Sequence, residues 1–294
     1  MTEAEIVVSV VIPCLNEETT VGLCVEKARK YFSDKQVLGE IIVVDNGSSD
    51  LSAQVAAAAG ARVVLEPLRG YGAAYLRGFK EARGRYLVMG DGDNTYDLSD
   101  LDPFIDPLKA GFDLVMGSRF RGKIHRGAMP WANRYLGNPF LTGLYRLFFR
   151  TNLTDIHCGM RSFTKTAYQR LNLHCLGMEF ASEMVMESLQ KKMKIAEVPI
   201  EYYPRQGRSK LQPVKDAWRH LRFMLLFCPT WLYFVPGMLL GGFGFLTMLL
   251  LMNGPVNFLG HAWDIHMLVL ASFLGIFGYQ LVSIGLYARM FAVQ

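Results

Sequence analysis

Charge is scarce in this chain of 294 residues: Asp, Glu, Lys and Arg make up 19% of it, against 51% hydrophobic residues. Such a balance is too apolar for a protein bathed in water throughout, and part of it is expected in lipid. Two stretches account for the deficit. No charged residue occurs from Trp231 to Met252 or from Met267 to Ala288, and about 20 apolar residues suffice for a helix to cross a bilayer. Buried helices of soluble cores are rarely apolar all round, so both stretches are predicted transmembrane helices. The loop between them, Asn253 to His266, has no Lys or Arg, whereas Arg205, Arg208, Lys210, Lys215, Arg219 and Arg222 precede the first span and Arg289 ends the second. Basic flanks stay on the cytoplasmic side. The expectation is a multi-pass protein of the cytoplasmic membrane, with its N-terminal domain and both termini inside.

Cysteine is scarce as well. Cys14, Cys24, Cys158, Cys175 and Cys228 show neither paired nor metal-ligand spacing, and an odd count argues against a complete disulfide framework. They read as reduced, mostly buried thiols. No signal peptide precedes a first strand beginning near Ile6, no internal repeat or low-complexity linker is present, and no nucleic-acid-binding motif occurs. The net charge of +5, clustered beside the spans, suits an anionic membrane surface.

What is present is an alternation of strands and helices. Val7 to Ile12 is a β-branched run ended by Pro13, and Asn16-Glu17-Glu18-Thr19 opens a helix to about Tyr31. Further strands are predicted at Glu40 to Val44, Arg62 to Glu66, Tyr86 to Met89 and Asp113 to Gly117, with helices at Ser52 to Ala59 and Gly72 to Ala82. This is the signature of an α/β fold with a mainly parallel sheet and helices on both faces. In such sheets ligands bind outside the carboxyl ends of the strands. The strand Tyr86 to Met89 delivers Asp91-Gly92-Asp93 there, two carboxylates pointing the same way with a glycine that lets the backbone approach a ligand. A divalent ion bridging to a diphosphate would satisfy both, although Asp-x-Asp in isolation also fits a solvated turn.

Beyond Ser118 basic residues crowd together, and Trp131 to Arg150 alternates bulky apolar residues with basic ones at helical spacing. That segment is predicted as an amphipathic helix lying in the membrane interface, the alternative being a helix packed on the sheet. The stretch Pro213 to Cys228 has similar character. The domain plan is a catalytic domain over 1–212 that includes the interfacial helix 131–150, a juxtamembrane helix over 213–230, and the two spans within 231–294.

Six motifs follow one another in order: Pro13-Cys14-Leu15-Asn16-Glu17, Asp45-Asn46-Gly47-Ser48-Ser49-Asp50, Asp91-Gly92-Asp93, Gly117-Ser118-Arg119-Phe120, Asp155 to Phe163, and Arg205-Gln206-Gly207-Arg208-Ser209-Lys210. In this order they resemble a GT-A-fold, family 2 glycosyltransferase, most of all the polyprenyl-phosphate hexose synthases such as dolichyl-phosphate mannose synthase and bacterial enzymes that glucosylate undecaprenyl phosphate. The resemblance covers about residues 6–225. It implies a nucleotide sugar held by Pro13, Asn16, Glu17, Asp45, Gly47, Asp91, Gly92, Glu183, Arg205 and Lys210, with Glu17 and Asp45 at base and ribose. It implies Mg²⁺ or Mn²⁺ on Asp91 and Asp93, and a lipid phosphate gripped by Arg119 and Arg134. Asp155 is implied as an orienting or base residue near the acceptor, with Arg161 as an alternative salt-bridge partner for it. Where relatives often carry a second Asp, this chain has Asn46.

The implied reaction is hexose transfer to polyprenyl phosphate by single displacement with inversion. UDP-glucose is the favoured donor on the likeness of the two-span anchor; GDP-mannose and UDP-N-acetylglucosamine are the alternatives. Partners are then a nucleotide sugar, polyprenyl phosphate and the bilayer, but no nucleic acid, and the sequence does not decide between a monomer and a homo-oligomer. A processive polysaccharide synthase would carry Gln-x-x-Arg-Trp before the membrane, where this chain has only Trp218-Arg219-His220. A sugar nucleotidyltransferase would have a glycine-rich loop after the first strand, and Pro13 to Thr19 contains no glycine. A catalytically silent membrane scaffold that binds nucleotide sugar is the reading from another class.

Overall fold

The structure, a computed structural model, describes residues 6–206, 218–219, 221–222, 224–225, 228, 230–258 and 261–292. The chain divides into two compact units, 1–220 and 221–294. The expected residues Gly207, Arg208, Lys210 and Lys215 lie outside the described residues, as do the side chain of Arg289 and most of the juxtamembrane stretch.

The first unit is built on a seven-stranded sheet in the order β3-β2-β1-β4-β6-β5-β7. Its strands are β1 (Val8–Cys14), β2 (Gly39–Asp45), β3 (Arg62–Leu65), β4 (Tyr86–Met89), β5 (Leu114–Ile124), β6 (Arg161–Thr164) and β7 (Ile195–Tyr202). Only β6 runs antiparallel to its neighbours, β4 and β5. The predicted sheet lacked β6 and β7, whose signals are weak: β6 has four residues, and β7 carries Pro199 in an edge strand, where a missing N–H is tolerated. β1 runs two residues further than its sequence suggests. Its pairing with β4 ends at Val11 opposite Met89, so Pro13 sits where that flank of β1 has no ladder left to break.

Alternate residues of β1 enter opposite layers. Val10 and Ile12 pack with Val43, Val88 and Phe104 on one face, while Gly78 of α3 (Tyr71–Glu81) presses on Val11 and Val44 of the other. The remaining helices are α1 (Val21–Lys35), α2 (Ser52–Ala58), α4 (Asp102–Lys109), α5 (Asn138–Phe149), α6 (Lys165–Arg170) and α7 (Phe180–Gln190). A π-helical turn, Asn133–Gly137, leads into α5: the Asn138 N–H reaches back five residues to Asn133 O, and the next residue, Pro139, has no N–H to give. Along this segment Leu141 and Tyr145 are buried, but Trp131, Tyr135, Leu136, Phe140 and Leu147 are all more than half exposed.

The second unit is a helical hairpin, α8 (Val235–Leu251) and α9 (Ile265–Ala292) joined through a short two-stranded turn. Counting the turn before α8, two stretches of 22 and 24 residues, Thr230–Leu251 and Ile265–Ala288, are long and apolar enough to cross a membrane. The helices meet backbone to backbone: a Cβ on Gly244 would stand 2.5 Å from Ala271 O, and one on Gly278 would stand 2.4 Å from Gly241 N. Small residues that permit such approach are how apolar helices associate in lipid.

Candidate active site

The sheet order reverses at β1, which has β2 on one side and β4 on the other. The crevice beyond the carboxyl ends of these strands is the topological switch point of an open α/β sheet. β1 ends in the loop carrying Asn16 and Glu17, β2 in the turn Asp45 to Asp50, and β4 in Asp91 and Asp93. The first two are stitched together. Asn16 takes a left-handed backbone (φ 52°), and its Oδ1 accepts from Ser49 N at 2.8 Å, while the Glu17 N–H donates to Ser52 Oγ at 2.8 Å. Gly47 has φ +86°, which the turn requires and glycine supplies at no steric cost. Asp45 is 5% exposed and accepts from Ser48 N.

Asn46 explains itself in the same turn. Its amide donates to Glu66 O (2.9 Å) and Leu68 O (2.8 Å), and its carbonyl accepts from Gly70 N (2.7 Å). An aspartate could not donate to those two carbonyls, so the amide is the group that this loop needs.

β4 brings its carboxylates in beside this turn. Gly92 passes so close to β1 that a Cβ would stand 3.2 Å from Pro13 O, and Gly92 O accepts from Thr20 Oγ1 at 2.7 Å. Asp93 Oδ1 is taken by Thr95 Oγ1 (2.6 Å) and Thr95 N (3.2 Å). Arg205 bridges the crevice, with one terminal nitrogen 2.5 Å from Glu17 Oε1 and the other 3.3 Å from Asp93 Oδ2. Three of the expected donor-site residues, Glu17, Asp93 and Arg205, are thus in one ion-paired group. Beside it, Asp91 Oδ1 accepts from Tyr71 (3.1 Å) and Tyr75 (3.3 Å), two tyrosines of α3 that no sequence motif marks. Burial, then the neighbouring Asp93 carboxylate, push Asp91 up to about 7.

Among the described residues no cluster of three or more His, Cys, Asp or Glu could cage a metal ion. Two carboxylates on one short loop, with a guanidinium between Asp93 and Glu17, nonetheless fit a hard cation that takes its other ligands from phosphate and water. Asp91 must lose its proton to bind such a cation. Affinity should therefore rise as pH climbs through 7, by roughly ten-fold from pH 6 to pH 8 for a single group of that pKa. A Mn²⁺ titration followed by electron paramagnetic resonance reads this directly, and a flat profile would contradict it.

Of the residues expected at the acceptor, Arg119 is 7% exposed and Asp155 is 0% exposed. Asp155 accepts three bonds from it: from the backbone N–H (3.0 Å), from Nε (2.7 Å) and from Nη2 (2.7 Å). The partner of Asp155 is therefore Arg119 and not Arg161. The Arg161 guanidinium is wholly buried and donates to carbonyls, Cys158 O (2.9 Å), Ile156 O (2.8 Å) and Ala181 O (2.5 Å). With both oxygens engaged by a guanidinium, Asp155 is built to orient Arg119 and poorly placed to take a proton. Arg119 lies over the Tyr202 ring (5.3 Å), Tyr202 packs on Tyr96, and the Tyr96 hydroxyl accepts from Gly159 N (2.9 Å). A Cβ on Gly159 would stand 2.7 Å from Asp91 Oδ2, so the segment from Asp155 to Arg161 runs directly past Asp91. Arg134 sits on the π-helical turn with its guanidinium over Tyr135 (5.4 Å). Glu183, expected at the sugar, is 4% exposed, and its two oxygens accept from the amides of His174 and Cys175, both at 2.9 Å.

Comparison with known proteins decides the family. The model for glycosyl transferase family 2 matches residues 9–171, more than half of the chain. The chain belongs to glycosyl transferase family 2. Among its curated relatives, a low-salt glycan biosynthesis hexosyltransferase, Agl6, of Haloferax volcanii is 39% identical over 283 residues, covering 96% of this chain and 68% of the relative. A dolichyl-phosphate hexose transferase of the same organism is 31% identical over 211 residues, 70% of this chain and 86% of the relative. Among solved structures, glucosyl-3-phosphoglycerate synthase from Mycobacterium tuberculosis, in complex with Mn²⁺, UDP and glucosyl-3-phosphoglycerate, superposes with a TM-score of 0.60 at 23% identity, covering 76% of this chain and 80% of that one. That likeness establishes the GT-A-like fold of this family 2 member, as expected from its sequence motifs.

Proposed function

We propose that this family 2 transferase moves a hexose from a nucleotide sugar to polyprenyl phosphate at the cytoplasmic face of a membrane, with UDP-glucose as the favoured donor. The observation that carries this reading is the gathering of Glu17, Asp91, Asp93 and Arg205 at one rim, in a chain that continues into two apolar helices of membrane length. The relative described as a dolichyl-phosphate hexose transferase supports the same acceptor class. The exposed apolar residues before and along α5, beside Arg134, Arg146 and Arg150, suit a segment lying in the lipid interface.

In this reading Glu17 and Asp45 accept from the ribose and base of the donor. Asp91 and Asp93 hold Mg²⁺ or Mn²⁺, which when bound neutralises charge on the departing diphosphate. Arg205 leaves its bridge between Glu17 and Asp93 to meet diphosphate oxygens, guanidinium being suited to phosphate. Arg119 spends Nε and Nη2 on Asp155 and keeps Nη1 outside that pair. With Arg134 it positions the acceptor phosphate. The phosphate oxygen attacks the anomeric carbon, and the bond to the nucleoside diphosphate breaks with its electron pair leaving on the β-phosphate. The acceptor is already ionised near neutral pH, so no side chain has to remove a proton, and positioning carries the rate.

The donor is identified by offering membranes that contain the chain a panel of labelled UDP-glucose, GDP-mannose and UDP-N-acetylglucosamine with undecaprenyl or dolichyl phosphate. Label should enter organic-extractable lipid from one donor, and no lipid product from any of them would sink the proposal. The orientation has its own check: a reporter fused after Gln294 should read as cytoplasmic, and an exterior signal would reverse the topology.

A further inference from the structure

We propose that Tyr71, Tyr75 and Glu183 are positioning residues that fix the metal-binding carboxylate of Asp91 through the N-terminus of α3. The inference rests on the reading that Asp91 and Asp93 hold the cation. Glu183 on α7 accepts from the His174 and Cys175 amides, both at 2.9 Å. A buried carboxylate that accepts two backbone N–H bonds holds the loop carrying them in one shape. The next carbonyls of that loop turn toward α3: Leu176 O accepts from Ala73 N (3.1 Å) and Gly177 O from Gly72 N (3.3 Å). Those amides belong to the first turn of a helix, which has no partners of its own for them.

The seat is tight. A Cβ on Gly70 would stand 2.1 Å from Leu176 O, and one on Gly72 would stand 2.1 Å from Cys175 O, so the loop touches helix backbone. α3 then presents Tyr71 and Tyr75, one turn apart with rings at 4.9 Å, to the same oxygen of Asp91. Tyr75 is 0% exposed, stacks on Phe180 of α7 at 5.9 Å, and its hydroxyl also lies 3.2 Å from Gly90 O at the end of β4. The Tyr71 hydroxyl donates to Oδ1 and the Tyr75 hydroxyl shares its one proton between Oδ1 and Gly90 O, which leaves Oδ2 as the oxygen that a cation can use. Asp93 is prepared in the same way, with Thr95 on Oδ1. Groups that hydrogen-bond a ligating carboxylate set its direction, and their loss costs about 10–100-fold in metal affinity.

The test uses the full chain in detergent and reads Mn²⁺ binding by electron paramagnetic resonance, with and without UDP. Tyr71→Phe and Tyr75→Phe each remove one hydroxyl and keep the ring, so the fold should hold and Tm should stay close to that of the unaltered protein. The double variant should lose about 10–100-fold in Mn²⁺ affinity, while UDP binding in EDTA stays unchanged. Glu183→Gln, of the same shape, should move Mn²⁺ affinity in the same direction by a smaller factor. A folded double variant with unaltered Mn²⁺ affinity would overturn the proposal. A Glu183→Gln protein that melts earlier but binds Mn²⁺ as before would remove Glu183 from it. If the unaltered protein binds no Mn²⁺, the metal reading falls and takes the proposal with it. Metal binding is read without lipid or transfer, so a failed transfer assay leaves this test standing.

Discussion

Asp155→Ala should cost the catalytic domain about 3–5 kcal/mol, because it strands a buried guanidinium without its counter-charge. Arg119 is 7% exposed, and Asp155 receives three of its donors. For a domain of this size the loss lowers Tm by about 6–20 °C, read by thermal melting of the solubilised protein. Asp155→Asn keeps the shape and one good acceptor, and should fall between. Transfer should drop in both variants, since an Arg119 that no longer has a fixed direction cannot position an acceptor phosphate. If Asp155→Ala melts like the unaltered protein, the pair is not the buried element described above.

Asp93→Ala is the second large effect. It removes a carboxylate proposed to hold the cation and a partner of Arg205, which stands 3.3 Å away. Stabilisation of a departing charge by a fixed group is worth on the order of 10²–10³ in rate, and loss of the cation with it should bring transfer at least that far down. Asp93 is 8% exposed and accepts twice from Thr95, so some stability goes with it; Arg205 keeps Glu17 as a partner, and the loss should stay below that of Asp155→Ala. Turnover per folded molecule is the measurement. Retention of more than a tenth of it would show that the cation is held elsewhere.

The parts of this protein that were legible in its sequence are those with local causes. β1 and β2 are β-branched runs and β4 a short apolar one, all delivering polar residues to one rim, and the spans are unbroken apolar stretches, so periodicity and length suffice. The partner of Asp155 was not legible. Arg161 is near it in the chain and Arg119 is 36 residues away, and only the pairing of β5 with β6 brings the latter alongside. Tyr71 and Tyr75 have the spacing of ordinary core residues on a helix, and nothing local tells that their hydroxyls meet Asp91. Glu183 looked like a sugar ligand because it is an acid in the right order. Its carboxylate is occupied by two amides of a preceding loop, a contact that no periodicity records. Asn46 was a departure from the motif until three backbone partners gave the amide its reason.

Transfer to a lipid phosphate is tested most directly by reconstituting the purified chain with labelled UDP-glucose, varying polyprenyl phosphate and Mg²⁺ independently. Organic-extractable label is expected only when lipid phosphate and Mg²⁺ are both present, with the β-linked product that inversion of an α-linked donor requires. Label that appears in a water-soluble product, or that forms equally well in EDTA, would contradict it.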